Sequence, residues 1–243
     1  LFTGLAATAL SLLIVMLAIA AGSGTRSFAW LTRLISPMLA VPHAAAAFGF
    51  LFLFAPSGFL VRLVSPELTG WTRPPDILIP NDPMGISLIA GLILKEVPFL
   101  FLMALAALPQ IHTAETCRVV TSFGYGRIAG FVLAIWPQLY RRIRLPVLAV
   151  LAFSVSVVDV ALILGPTNPA PLAVRLVGWM NDPELSMRFL ASAGAIVLVA
   201  ITTIAGLIWM LIERGFASAA LRESHRGRRF AHDAALRHGA LWL

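Results

Sequence analysis

The chain has 243 residues, of which 59% are hydrophobic and 12% are charged, and its mean hydropathy is +0.91. Soluble domains carry about 25% charged residues, so this composition excludes an ordinary soluble protein and indicates an integral membrane protein. The net charge of +7 would suit a nucleic-acid partner, but the arginines lie in short segments beside long apolar runs. That arrangement is typical of membrane topology, so we expect no nucleic-acid partner.

The first two apolar runs are each predicted to cross the membrane. Residues 1–22 are long enough for a hydrocarbon core that needs about 20 helical residues, and Arg26 and Arg33 follow in a short loop. The second span is predicted from Ile35 to Pro56. It contains His43, which is a candidate contact on a transport path; the alternative is a hydrogen bond to a neighbouring helix.

The next segment, residues 57–83, is predicted to lie at the exported surface. It begins with a short amphipathic piece from Phe59 to Val64 and continues with five prolines and charges of both signs. Trp71 within it suits the depth of the lipid headgroups.

The third span, predicted from Met84 to Leu108, carries ionisable residues at its middle. Lys95 and Glu96 stand there, followed closely by Pro98. Each charge at mid-membrane costs about 2.5 to 3.5 kcal/mol unless it faces protein or water. These residues are therefore either a charge pair buried against other helices or groups that line a translocation cavity.

A polar stretch from Glu115 to Pro137 follows and indicates a loop at a membrane surface. Thr113 is expected to cap a short helix that begins near Ala114. Residues 122–126 then break the helix with two glycines, and a second short helix is predicted from Arg127 to Trp136. Pro137 is expected to end or kink that second helix.

In this stretch Gly124 is followed thirteen residues later by Pro137, inside a helix-turn-helix between two predicted spans. This spacing resembles the E-A-A-x3-G-x9-I-x-L-P loop of bacterial ABC-importer permeases. The family's I and L would fall on Ala134 and Trp136, and the nearest glutamate, Glu115, lies one turn before its opening residues.

The resemblance implies a MetI-like permease in the bacterial inner membrane, whose cytoplasmic loop docks as a coupling helix on an ABC ATPase subunit. It also implies a second permease half, which is a separate subunit or fused, and a soluble solute-binding protein on the exported side. The loop residues that it places in coupling are Glu115, Arg118, Gly124, Tyr125, Gly126, Arg127 and Pro137.

Two more spans are predicted after the loop. The fourth runs from Pro146 to Gly165 and carries Asp159, the natural partner to test for Lys95. The apolar run from Leu172 to Met180 is too short to cross and is predicted to be an interfacial helix on the exported side. The fifth span is predicted from about residue 188 to 212, with Glu213 and Arg214 marking its end.

The fold class expected from these features is an all-α integral membrane protein with about five transmembrane helices. The permease domain is predicted over residues 1–214, and the basic tail, residues 215–243, is predicted to be a linker toward a further span or an interfacial helix. The chain starts without methionine and ends in an apolar run, which leaves two alternatives: one half of a fused permease, or a chain whose last residues form an interfacial helix. Thirteen arginines fall in segments predicted to lie inside and four outside, which places the tail in the cytoplasm.

The absence of enzymatic motifs reduces the number of possible functions. Lys95 is the only lysine and stands in no G-x4-G-K-[ST] motif, so ATP must be hydrolysed by another subunit and the chain is not expected to be an enzyme. The histidines of the tail lack ligand spacing, so we expect no metal and no cofactor. Two alternatives stay open: an ion-coupled secondary transporter that uses Lys95, Glu96 and Asp159, and a membrane-embedded enzyme.

Overall fold

The computed structural model describes residues 1–22, 25–77 and 79–226, and within these ranges all regular structure is helical. A 3-10 helix (Leu108–Gln110) follows α5, and a π-helix (Phe131–Ile135) joins α7 to α8. The α-helices of the described residues are α1 (Phe2–Gly22), α2 (Arg26–Met38), α3 (His43–Phe54), α4 (Phe59–Val64), α5 (Ile86–Ala107), α6 (Thr113–Ser122), α7 (Arg127–Gly130), α8 (Trp136–Ser156), α9 (Asp159–Leu164), α10 (Leu172–Met180) and α11 (Met187–Arg226).

Four helical segments in the described part of the chain are long and apolar enough to cross a membrane. They are Phe2–Gly22, His43–Val64, Ile86–Gln110 and Met187–Ala219. The predicted all-helical membrane class is thereby confirmed, while a fifth span stays a prediction. The short helices α4 and α10 have the bounds predicted from the sequence.

The second predicted span was wrong in its bounds, because it is not one helix. α2 begins at Arg26, where the Thr25 hydroxyl accepts the N–H of Phe28 at 3.2 Å and so caps the helix. The chain leaves the helix after Met38 and becomes helical again at His43. Pro42 explains the restart, since a proline biases the residue before it away from helical geometry.

The short loop expected for Arg26 and Arg33 is also corrected, because both residues lie in helix α2 and are exposed.

The fourth predicted span, residues 146–165, is not one helix either: α8 ends at Ser156 and α9 begins at Asp159. α11 itself continues through Glu213 and Arg214 to Arg226, so the helix extends beyond the predicted end of the fifth span, which stays a prediction. The part of the tail beyond residue 226 lies outside the described residues.

The chain divides into two compact units. The first unit contains residues 1–7, 40–95 and 151–205. Its core is apolar and joins α3, α5 and α9 with the start of α1. The buried residues of this core are Ala7, Ala47, Leu88, Leu92, Val157, Val160, Ala161 and Leu164.

The first unit also fixes the start of α5. The Asp82 carboxylate accepts the N–H groups of Ile86 at 2.6 Å and of Ser87 at 2.8 Å, so both oxygens bind donors that a helix leaves free in its first turn. The negative charge also suits the positive end of the helix dipole. Nearby, the side-chain amide of Asn81 donates to the carbonyl of Gly165 at 2.7 Å, which holds the start of α5 against the end of α9.

The second unit contains residues 8–39 and 96–150 and the described part of α11 from Gly206 onward. Phe28 of α2 meets Phe101 of α5 edge to face, with ring centroids 5.5 Å apart. Ile19 of α1 and Leu139 of α8 are fully buried. This unit holds the polar loop between α5 and α8.

Candidate functional site: the loop between α5 and α8 and the ionisable residues of the first unit

The first helix of the loop, α6, starts one residue earlier than predicted. Thr113 lies within the helix, and His112 precedes it without a side-chain cap, so the predicted cap was wrong. Glu115 is in the first turn, as expected, and stands 3.9 Å from Nδ1 of His112. Both side chains are well exposed, so this contact contributes little to stability. Arg118 is exposed as well, and α6 presents charges of both signs.

Gly124 closes α6 in a left-handed conformation. Its φ is +81°, which a glycine adopts without strain. The N–H of Gly124 donates to the carbonyl of Thr121 at 2.9 Å, and the N–H of Tyr125 donates to that of Val120 at 3.3 Å. These two bonds form a Schellman motif, in which the residue after the helix must have positive φ. The sequence prediction of a glycine turn at this point is confirmed.

The second helix of the loop does not end at Pro137. Arg127 begins α7, and helical structure continues through the π-helix into α8 as far as Ser156. The N–H of Trp136 donates to the carbonyl of Phe131, five residues back. The π turn thus interrupts the regular bonding pattern just before the proline, where a missing N–H is most easily accommodated. Of the two predicted alternatives, an end of the helix at Pro137 is excluded, and a kink stays a prediction.

The two helices of the loop approach each other closely at Gly130. A Cβ atom on Gly130 would lie 2.4 Å from Cγ1 of Val120 and 3.9 Å from Cβ of Tyr125. Real side chains do not come so close, so α6 and α7 pack in this way because residue 130 has no side chain. The loop is therefore a packed helix-turn-helix rather than an extended connection.

Lys95 is buried and bonded to the break in the second predicted span. Its side chain is 6% exposed, and Nζ donates to the carbonyl of Val41 at 2.6 Å. Val41 lies between α2 and α3, where its carbonyl is outside regular helical bonding. This contact favours the buried alternative for Lys95. Glu96 is 4% exposed and belongs to the second unit.

Three of the predicted pathway residues lie near one another in the first unit. The imidazole of His43 is within electrostatic reach of both Lys95 and Asp159. Its ring also packs on Phe153, with ring centroids 4.8 Å apart. Asp159 begins α9 directly after the break that follows α8. Pro98 is buried in the interior of α5, which continues through it.

A polar cluster between α8 and α11 was not predicted. We call Tyr140, Arg144, Trp209 and Glu213 the α8–α11 cluster. Trp209 Nε1 donates to the Tyr140 hydroxyl at 2.9 Å, the hydroxyl donates to Glu213 Oε1, and Arg144 Nε donates to Glu213 Oε2 at 2.9 Å. Burial and the hydrogen bond to Glu213 raise the pKa of Tyr140 above its ordinary value, so the phenol stays a donor.

A sequence signal for this cluster was available. Tyr140 and Arg144 are four residues apart on α8, and Trp209 and Glu213 are four residues apart on α11. Residues at this spacing share one face of a helix. Each helix therefore carries a hydroxyl or indole one turn from a charge, but the sequence did not indicate that the two faces meet.

The chain is similar in sequence to a bacterial membrane permease. No protein-family model matches the chain. Over 179 residues, 74% of its length, the chain is 31% identical to the inner membrane ABC transporter permease protein YnjC of Escherichia coli (strain K12). The chain spans 33% of the length of that protein.

The helices described above define a multi-pass helical membrane protein. The similarity to YnjC supports the predicted relationship to ABC transporter permeases and, with the apolar helices, a place in the inner membrane. It gives no support to the secondary transporter or to the membrane-embedded enzyme.

Proposed function

We propose that the chain is a pore-forming permease subunit of an ATP-driven ABC importer and that residues 113–137 are its coupling loop. Two observations support this proposal. The chain is similar to an ABC permease, and the stretch from Gly124 to Pro137 belongs to a packed helix-turn-helix between α5 and α8. The partners in this proposal are an ABC ATPase subunit, a second permease half and a solute-binding protein.

In the proposed mechanism the ATPase subunits close on ATP and displace the loop, which moves the spans attached to it. A packed loop suits this task, because a displacement of α6 is passed to α7 through the close contact at Gly130. ATP binding then shifts a balance between two arrangements of the spans, one open to each side. The five-span topology with a cytoplasmic loop is part of this proposal.

The translocation path is proposed to pass near His43, Lys95 and Asp159. Two helices are interrupted beside these residues, between α2 and α3 and between α8 and α9. Interrupted helices inside membranes are tolerated where the backbone is buried in protein or lines a cavity. Glu96 and Pro98 follow Lys95 on α5, and a role for them in the path stays a prediction.

The test of the coupling loop is the variant Gly124→Asp. We expect it to insert and accumulate as the wild type does, while it weakens association with the ATPase subunit and abolishes uptake. Arg127→Glu should have the same effect in milder form, because it places a like charge against an acidic docking cleft. Abundance, pull-down of the co-expressed ATPase and ATP-driven uptake are measured on the same preparations.

A matched control is available at Gly70 in the segment predicted to be exported. Gly70 has a φ of +70°, is exposed, and has open space where a Cβ would stand. Gly70→Asp therefore adds the same charge and a similar backbone strain at a distance from the loop, and it should leave uptake unchanged. Full uptake per molecule with Gly124→Asp would overturn the coupling role. Loss of abundance in that variant, with activity per folded molecule unchanged, would mean that the glycine serves turn closure alone.

A further inference from the structure

The α8–α11 cluster joins two segments that the proposed function does not connect. α7, the π-helix and α8 form an uninterrupted helical run from Arg127 to Ser156. Tyr140 and Arg144 are therefore carried by the same run that emerges from the loop. Their common partner, Glu213, is 69 and 73 residues further along the chain, on α11.

The carboxylate of Glu213 is held by two hydrogen bonds and is largely buried. Glu213 is 14% exposed and receives a donor on each carboxylate oxygen, one from the phenol and one from the guanidinium. A hydrogen bond between two charged groups is about twice as strong as one between neutral groups. Arg144 is 46% exposed, so solvent weakens its share of the attraction.

Aromatic packing continues the connection toward the loop. The rings of Trp136 and Tyr140 have centroids 6.1 Å apart, and those of Phe131 and Trp136 are 6.4 Å apart. Phe131 is the first residue of the π-helix, directly after Gly130. A series of packed side chains thus leads from the contact between α6 and α7 to Tyr140 and Glu213.

We infer that Tyr140, Arg144 and Glu213 are positioning residues for transport, which make the end of α11 that carries Glu213 move with the coupling loop. The inference rests on the proposed function and deepens it. Without the cluster, the loop would still follow the ATPase, but α11 would no longer follow the loop. ATP hydrolysis and solute uptake would then separate, since coupling between two sites is carried by the packed side chains and hydrogen bonds that connect them.

The experiment compares uptake per ATP hydrolysed in proteoliposomes that contain the chain with its ATPase and binding protein. We expect Glu213→Gln and Arg144→Gln to lower this ratio about fivefold or more, which corresponds to loss of a coupling of about 1 kcal/mol. ATP hydrolysis itself should stay near the wild-type rate. Arg142→Gln removes an exposed arginine from the same helix and should leave the ratio unchanged.

The double variant Arg144→Glu with Glu213→Arg restores a pair of opposite charges and should recover most of the lost ratio. If the single variants fail to accumulate, Tyr140→Phe removes just the hydroxyl and should lower the ratio in the same direction. Wild-type ratios in Glu213→Gln and Tyr140→Phe would overturn the inference. Absence of ATP-driven uptake by the wild-type chain would instead overturn the proposed function.

A readout that does not depend on uptake uses spin labels at Val119 of α6 and Phe216 of α11, both exposed, in a Cys117→Ser background. In the wild type we expect the distance between the labels to be the same with and without ATP. In Glu213→Gln it should change when ATP binds. An equal distance in both states of the variant would contradict the positioning role.

Discussion

Lys95 illustrates how a buried charge is accommodated by an irregular backbone. Its ammonium group donates to the Val41 carbonyl at 2.6 Å, and that carbonyl lies where the chain passes from α2 to α3. The lysine and the helix break therefore stabilise each other, since each supplies a hydrogen-bonding group that the other needs. The same contact brings a positive charge close to His43.

We predict that Lys95→Met destabilises the protein by about 1 to 3 kcal/mol, because the hydrogen bond from a charged donor to the Val41 carbonyl is lost. Unfolding by denaturant in detergent measures the change. Arg62→Met removes an exposed cation from α4 in the same unit and should have little effect. Unchanged stability together with lost uptake would show that Lys95 acts in transport and does not stabilise the helix break.

Asp82 gives the start of α5 a dependence on pH. Its burial acts to raise the pKa of the carboxyl, but hydrogen bonds from Ser87 and Ile86 outweigh burial and hold the pKa below its ordinary value. A lowered pKa contributes stability above the ordinary value near 4, and this contribution is lost as the pH falls through the pKa of the folded state.

We therefore predict that Asp82→Asn costs about 1 kcal/mol at neutral pH, because an amide keeps one of the two acceptor oxygens and loses the charge. Below about pH 4 the wild type and the variant should become more alike, because protonation removes the same charge. Thermal unfolding measured from pH 7 to pH 3 tests this. A constant difference between the two proteins over that whole range would show that Asp82 acts through packing rather than charge.

At the scale of the helices, α6 and α7 pack closely because residue 130 is a glycine. Gly130 leaves room for Val120, whose branched side chain is short and has little freedom to move aside. We predict that Gly130→Ala destabilises the protein by about 1 to 3 kcal/mol through overpacking. Combining it with Val120→Ala removes the obstructing methyl groups and should restore much of the loss. Equal destabilisation with and without the second substitution would contradict this packing.

The ends of some helices follow from the neighbouring residues in the sequence, whereas the ends of others do not. α4 and α10 begin and end as predicted, because serine, glycine and proline flank short apolar runs. α8 passes through Pro137 and Pro146. A proline lowers the stability of a helix locally, and packing in the folded protein outweighs that cost.

At the scale of the whole molecule, the arginine distribution predicts which ends face the cytoplasm. A reporter fused after Glu213 should behave as cytoplasmic, and one inserted near Pro75 should behave as exported. Alkaline phosphatase and fluorescent-protein fusions measure the two locations. If both positions were on the same side, the five-span arrangement would be wrong.

The sequence by itself determined the class of the protein and its local turns. A low content of charge and long apolar runs require a membrane, and inside a membrane the backbone must satisfy its own hydrogen bonds, so the runs become helices. The turn at Gly124 was also predictable from the sequence, because the hydrogen bonds that close α6 lie within six consecutive residues.

Tertiary structure decided which distant residues meet. Lys95 binds Val41 across 54 positions of the chain, and Tyr140 binds Glu213 across 73. The sequence suggested Asp159 as the partner of Lys95 because both are charged, but a backbone carbonyl has no sequence signal and becomes an acceptor only where a helix is interrupted. Periodicity shows which face of a helix carries a polar group, whereas the packing of the helices decides which faces come together.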